Sequence, residues 1–379
     1  MAERTRRRSS RRRERQKKEI NYTFCILTLA LLGFGLVMVF SASSGIAQSK
    51  NESVYIYFIK QLIFAVAGLV VMRGLSRIDY KFWYQKWVVL LGIGVTVVLL
   101  ILVLFVGKEG GGATRWIGFG PITIQPSEIA KFTTVVVMAK WLSDYKGDIK
   151  KYGVMIKMLL PAMFFAVLVL LGDHLSGAVI IALVGIILVF AAGCKFSHLF
   201  FTGVAFVPLL VIAIALEPYR VKRITSFLDP FADAQGTGWQ VIQSLYSIGS
   251  GSMFGVGLGQ SRQKHGFLPE PHTDFIFSVI CEELGFFGAI LVILLFVFLV
   301  VTGFKIALSA PDRFSSLLVC GMVSLIALQV ILNIAVVTSA MPCTGITLPF
   351  FSYGGSALMV NLVEIGVVLS VSRQTGKKL

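Results

Sequence analysis

Residues 269–285 read PEPHTDFIFSVICEELG. A polar segment meets a long apolar run at Asp274, and two further carboxylates, Glu282 and Glu283, follow inside that run. The run continues to about residue 303, long enough to cross a bilayer. A carboxylate at the edge of a membrane is costly, and one inside it more so, so each of these acids needs a physical reason.

The rest of the chain has the same character. Of its 379 residues 56% are hydrophobic and 14% charged, whereas a soluble domain carries about 25% charged residues. Apolar stretches long enough to span fall at 22–42, 54–74, 84–106, 127–142, 153–171, 176–193, 197–216, 275–303, 314–340 and 350–371. The fourth is short and carries Glu128 and Lys131. This predicts an all-α polytopic membrane protein of about ten transmembrane helices, with a long extracytoplasmic loop between helices 7 and 8. The expected boundaries are a basic arm over 1–20, a ten-helix membrane domain over 21–372 with its outer loop at 217–274, and a tail over 373–379.

Charge sets the expected orientation. Residues 1–19 hold ten Lys/Arg against three acids. Such a run suits a cytoplasmic arm on anionic lipid better than a nucleic-acid site. With the N-terminus inside, the even-numbered connections are the basic ones: Arg73, Arg77, Lys81 and Lys86, then Lys140 to Lys157, then Lys195, then Lys305 and Arg313. That alternation predicts both termini in the cytoplasm. The five cysteines form no C-x-x-C or Cys/His cluster, so metal and redox sites gain no support. Glycines 249, 251, 255, 257 and 259 match neither G-x-G-x-x-G nor a Walker loop.

Two outer connections stand out. One is 107–126; the other is 217–274, which contains WQVIQSLYSIGSGSMFGVGLG (239–259). That segment is apolar but too rich in Gly and Ser for an ordinary span. It reads as lying on, or re-entering, the outer face, where only protein or a wet cavity satisfies its backbone.

Several polar residues have both a bland and a chemical reading. Asp274 is either a helix cap or a base whose pKa is tuned by the boundary it occupies. Glu282 and Glu283 are either a clamp between helices, or a cavity wall or proton path. Glu128 and Lys131 lie three apart on one helical face and can neutralise each other. Arg115 and Trp116 suit a sugar-bearing anion, guanidinium for diphosphate and indole for a sugar face, or else interfacial anchoring. Arg220, Lys222, Arg223, Arg262 and Lys264 place positive charge in the long outer loop. His272, two residues before Asp274, belongs to no Cys/His spacing. From residues alone three classes stay open: an enzyme acting on a lipid-linked anion, a lipid flippase, and a scaffold for partner membrane proteins.

GATRWIGFGPITIQPSEIAK (112–131), the stretch from Ser226 to Gly285, and VVTSAMPCTGITLPFFSYGGSALMVNLVEIGVVLSVSR (336–373) together resemble the SEDS family, for shape, elongation, division and sporulation. Within it the chain is similar to the FtsW branch, and the sporulation relatives look much the same. The resemblance implies ten transmembrane helices and peptidoglycan glycosyltransferase activity on lipid II outside the cytoplasmic membrane of a bacterium, at the septum for the division branch. It also implies a class B penicillin-binding protein as partner, among other divisome membrane proteins. A flippase role has also been advanced for the family. The family's essential aspartate falls on Asp274, its functional tryptophan on Trp116, and its P-S-E-x-x-K motif on Glu128 and Lys131. Arg115, Arg223, Lys264 and His272 are expected to join them in binding substrate. No cofactor is evident, although a divalent cation, Mg2+ or Mn2+, could assist. One departure stands out: where many members carry PDLGT, this chain reads GDHLSGA (172–178).

Overall fold

The structure is a computed structural model that describes residues 20–110, 113–119 and 122–375; the basic arm falls outside them. Ten long helices stand where the sequence placed ten spans. They are α1 (Tyr22–Ser49), α2 (Tyr55–Leu75), α3 (Lys86–Val106), α4 (Pro126–Asp144), α5 (Tyr152–Leu171), α6 (Leu175–Ala191) and α7 (Phe196–Ala215), then, after two short helices, α10 (Ile276–Leu308), α11 (Arg313–Val337) and α12 (Gly355–Ser372). Eight of the ten are long and apolar enough to cross a membrane on composition alone. The other two, α4 and α6, are covered by neighbours. Of the 19 residues in α4, 13 are buried, Glu128 and Lys131 among them, so protein rather than lipid surrounds its charges.

Hydrogen bonds fix which loops share an end of the bundle. Asn21 N donates to Ser372 Oγ at 3.2 Å, so the start of α1 meets the end of α12. Arg313 binds the carbonyls of Tyr145 and Ala192, tying the start of α11 to the ends of α4 and α6. Tyr80 and Tyr84, in a short 3-10 turn before α3, donate to Asp312 and Asp144. Asp274 lies at the opposite end, with the start of α4, the end of α5 and the 338–354 connection.

The 107–126 connection departs from an all-helical reading. It holds a small antiparallel sheet of β1 (Lys108–Gly110), β2 (Ala113–Phe119) and β3 (Ile122–Ile124), with Lys108 opposite Trp116 and Ile117 opposite Ile124. Ile117, Ile122, Thr123 and Ile124 are β-branched and suit strands.

The long 217–274 connection forms α8 (Pro218–Leu228) and α9 (Trp239–Ser250), then a turn that inserts against α10. The apolar run beginning at 275 is not one straight helix. Gly285 adopts φ 68°, ψ −166° and breaks α10. A Cβ there would collide with Gly255 N, so the position needs both glycine's left-handed freedom and its missing side chain. The incoming turn satisfies the interrupted backbone: Val256 N donates to Glu282 O at 2.9 Å, Gly257 N to Glu283 O at 3.0 Å, and Phe286 N to Ser252 O at 2.9 Å. The segment therefore folds back onto α10.

The same turn settles Glu282, Glu283 and Lys264. Glu282 accepts from Ser247 Oγ, Ser261 Oγ and the Arg262 amide at 2.6–2.9 Å. Glu283 accepts from Ser41 Oγ of α1 and pairs with Lys264 Nζ at 2.8 Å. Lys264 is 1% exposed and also donates to Gly259 O and Ser41 Oγ. These acids are therefore the clamp between helices. The assignment of Lys264 to substrate is corrected, because its ammonium is spent inside the protein.

Candidate active site

Asp274 sits on the turn just ahead of α10. Its main-chain oxygen accepts from Asn333 Nδ2 of α11 at 2.8 Å, and the same amide group reaches Ile346 O at 2.7 Å. One side chain thus ties the Asp274 turn to the 338–354 connection. The capping reading fails, because α10 has no side-chain cap and the Asp274 carboxylate accepts no hydrogen bond from the described residues.

The carboxylate faces Gly345 instead. A Cβ on Gly345 would stand 3.2 Å from Asp274 Oδ2 and 3.7 Å from Arg115 Nη1, so the acid and the guanidinium both border this glycine without forming an ion pair. Burial pushes the Asp274 pKa up to about 6; the nearby Glu270 carboxylate raises it further, while Arg223 and Arg115 pull it down.

Three arginines line a cavity of about 230 Å³ beside this point. Arg115, on β2, donates Nε and Nη2 to the carbonyl of Asp173 at 3.1 and 2.9 Å. Arg220, on α8, reaches the Asp173 carboxylate at 3.3 Å and Ala213 O at 2.6 Å. Arg223, one turn on, donates to Cys343 O at 2.8 Å and lies 4.4 Å from the Tyr219 ring centroid. Away from the arginines the walls turn apolar, with Val179 and Leu175 of α6, Leu210 and Ile214 of α7, and Leu332 of α11. Cationic at one end and apolar at the other, the cavity fits an amphiphilic anion.

The other expected residues divide. Trp116 is half-buried on β2, next to Arg115. Glu128 and Lys131 form a buried ion pair at 2.7 Å, set into the bundle rather than on the cavity wall. Ser127, next to Glu128 in the chain, places its Oγ 2.8 Å from His174 Nδ1. Burial, then Arg115 and Lys131, hold the His174 pKa well below the ordinary range, so its imidazole is neutral. His272 is not on the cavity wall either. Its buried ring packs on Tyr57 and Tyr353, with centroids 5.1 and 5.4 Å away, and its carbonyl accepts from Tyr353 N. The expectation that His272 binds substrate is corrected to a packing role behind Asp274.

Asp173, Tyr219 and Asn333 were not foreseen at the site. Asp173 holds two arginines while in a left-handed conformation, φ 55°, and it falls where the sequence leaves the PDLGT pattern. That departure was the available signal. Among the described residues no three His, Cys, Asp or Glu side chains gather as a metal-ligand set.

The family described as cell cycle protein, FtsW/RodA/SpoVE, matches residues 22–377. The chain is 43% identical over 350 residues to stage V sporulation protein E of Bacillus subtilis, covering 92% of this chain and 95% of that protein. It is 40% identical to the probable peptidoglycan glycosyltransferase FtsW of Trichlorobacter lovleyi, covering 93% of each. Its fold matches a chain from work described as "Structural coordination of polymerization and crosslinking by a peptidoglycan synthase complex", with a TM-score of 0.76, 30% identity, and 95% and 99% of the two chains covered. It also matches the rod shape determining protein RodA of Thermus thermophilus, with a TM-score of 0.68, 28% identity and the same coverage. The protein belongs to the FtsW/RodA/SpoVE family.

Proposed function

We propose that the protein is a peptidoglycan glycosyltransferase that polymerises lipid II into glycan strands, with Asp274 as general base. One observation carries the reading: a carboxylate with pKa about 6, free of a capping hydrogen bond, feels the charge of Arg115 and Arg223, and those two arginines line an amphiphilic cavity. The donor's isoprenoid lies along the apolar wall and its diphosphate against Arg115, Arg220 and Arg223. The acceptor's sugar hydroxyl approaches Asp274. Its oxygen attacks the donor's anomeric carbon, the carbon–oxygen bond to diphosphate breaks, and the diphosphate leaves with the electron pair. Asp274 takes the hydroxyl proton, and the arginines stabilise the charge on the leaving group.

The Asp274 end then faces out of the cytoplasmic membrane and both termini face the cytoplasm. The Lys/Arg-rich connections 73–87 and 140–157 at the opposite end support that orientation. The names of the relatives support septal or sporulation wall synthesis. A class B penicillin-binding protein as partner is supported by the match to a peptidoglycan synthase complex. The deciding experiment is polymerisation of purified lipid II by the protein with its partner. Asp274→Asn, folded and partner-bound, is expected to lose glycan synthesis; wild-type product from it would end the base assignment. The buried Glu128–Lys131 pair favours a flippase as second reading. That reading requires lipid II to cross sealed vesicles without polymer, and Glu128→Gln to do more harm than Asp274→Asn.

A further inference from the structure

A second cavity, of about 630 Å³, opens at the end of the bundle opposite Asp274, between α3, α4 and α5. Its size is in the range of small-molecule sites. Its charge is confined to one rim. Lys140 Nζ is 3.2 Å from Asp144 Oδ2 and 3.7 Å from the Tyr84 ring centroid, while Asp144 Oδ1 accepts from Tyr84 Oη. The ammonium is thus held in place, yet Asp144 uses one of its three donors. Lys86, the first residue of α3, is exposed and makes no ion pair among the described residues. Two ammoniums against one carboxylate leave the rim positive. Trp141, 50% exposed, stands at the same level, as side chains at a membrane–water boundary do.

Below the rim the walls are apolar: Leu90 and Ile93 of α3, and Leu160 and Phe164 of α5. Ile93 lies about 10 Å along the helix from Lys86. Cation, aromatic boundary and apolar trough follow one another in the order of a lipid's own parts. We propose that this groove binds an anionic glycerophospholipid of the leaflet opposite the reaction, with its phosphate between Lys86 and Lys140 and one acyl chain along Leu90, Ile93, Leu160 and Phe164.

The test is native mass spectrometry of the full-length protein in detergent, titrated with phosphatidylglycerol or phosphatidylcholine. Wild type is expected to bind one phosphatidylglycerol about tenfold more tightly than phosphatidylcholine. Lys86→Gln with Lys140→Gln is expected to remove that preference. Leu160→Trp keeps both lysines but fills the trough, and it is expected to weaken both lipids. Leu160 is 57% exposed, so this change does not threaten the fold. An unchanged preference in the lysine variant, or unchanged binding in Leu160→Trp, overturns the proposal. Displacement of phosphatidylglycerol by equimolar undecaprenyl phosphate also overturns it, by assigning the groove to an isoprenoid.

Discussion

At the scale of single residues the site rests on a carboxylate held in an unfavourable place. Its pKa of about 6 exceeds the ordinary aspartate value of about 3.9. The base is the ionised form, so turnover should fall as pH drops through 6 and stay flat from 7 to 8; a pH–rate profile on lipid II checks this. The stability sign is the reverse. The folded state holds this proton more tightly than the unfolded chain, so stability is lost as pH rises from about 4 to 6. Asp274→Asn should therefore melt at or above the wild-type temperature at pH 7.5 while losing about 10²- to 10⁴-fold in rate. Asp173 gives a second prediction. Asp173→Ala removes the Arg220 ion pair and places a Cβ-bearing residue without a compensating side chain at φ 55°. It should raise KM for lipid II several-fold more than it lowers kcat, and Asp173→Asn should recover most of the loss. Asp274 was legible because it marks the step from polar to apolar sequence. Lys264 was misread because its partners, Glu283 and Ser41, are brought to it only by the folded chain.

At the scale of elements, α10 and the turn packed against it behave as one unit. Gly285→Ala introduces both a clash and left-handed strain, so it should reduce folded yield sharply, read by size-exclusion chromatography after detergent extraction. Lys264→Met alone leaves the Glu283 carboxylate buried with its counter-charge removed, which costs about 3–5 kcal/mol. Adding Glu283→Gln should restore much of the melting temperature, and a double-mutant cycle measures the coupling. The break at Gly285 was hidden because a lone glycine in a long apolar run carries little signal. The β-ribbon was hidden for another reason: its strands are of 3, 7 and 3 residues, too short for a period-2 pattern to stand out.

At the scale of the whole molecule, the ten-helix plan was legible because hydropathy and loop charge agree along most of the chain. The path of the long connection was not, because tertiary pairing with α10 decides it. The molecule also hides charge in its middle. Glu128 and Lys131 lie on a helix surrounded by protein. Glu128→Gln should destabilise the protein by about 3 kcal/mol, since Lys131 stays buried without its partner, and Lys131→Met added to it should restore the melting temperature. The clamp of Glu282, Glu283 and Lys264 carries a further consequence, for biosynthesis. A ribosome makes Ser41 first, Lys264 much later, and the acids after that. The inserted turn therefore has nothing to hold it until α10 has emerged, and the first helix must wait in the bilayer with its serine open. Closure of this core is set by the order of synthesis, and a released chain truncated between residues 264 and 282 should leave that lysine open to a water-soluble amine reagent.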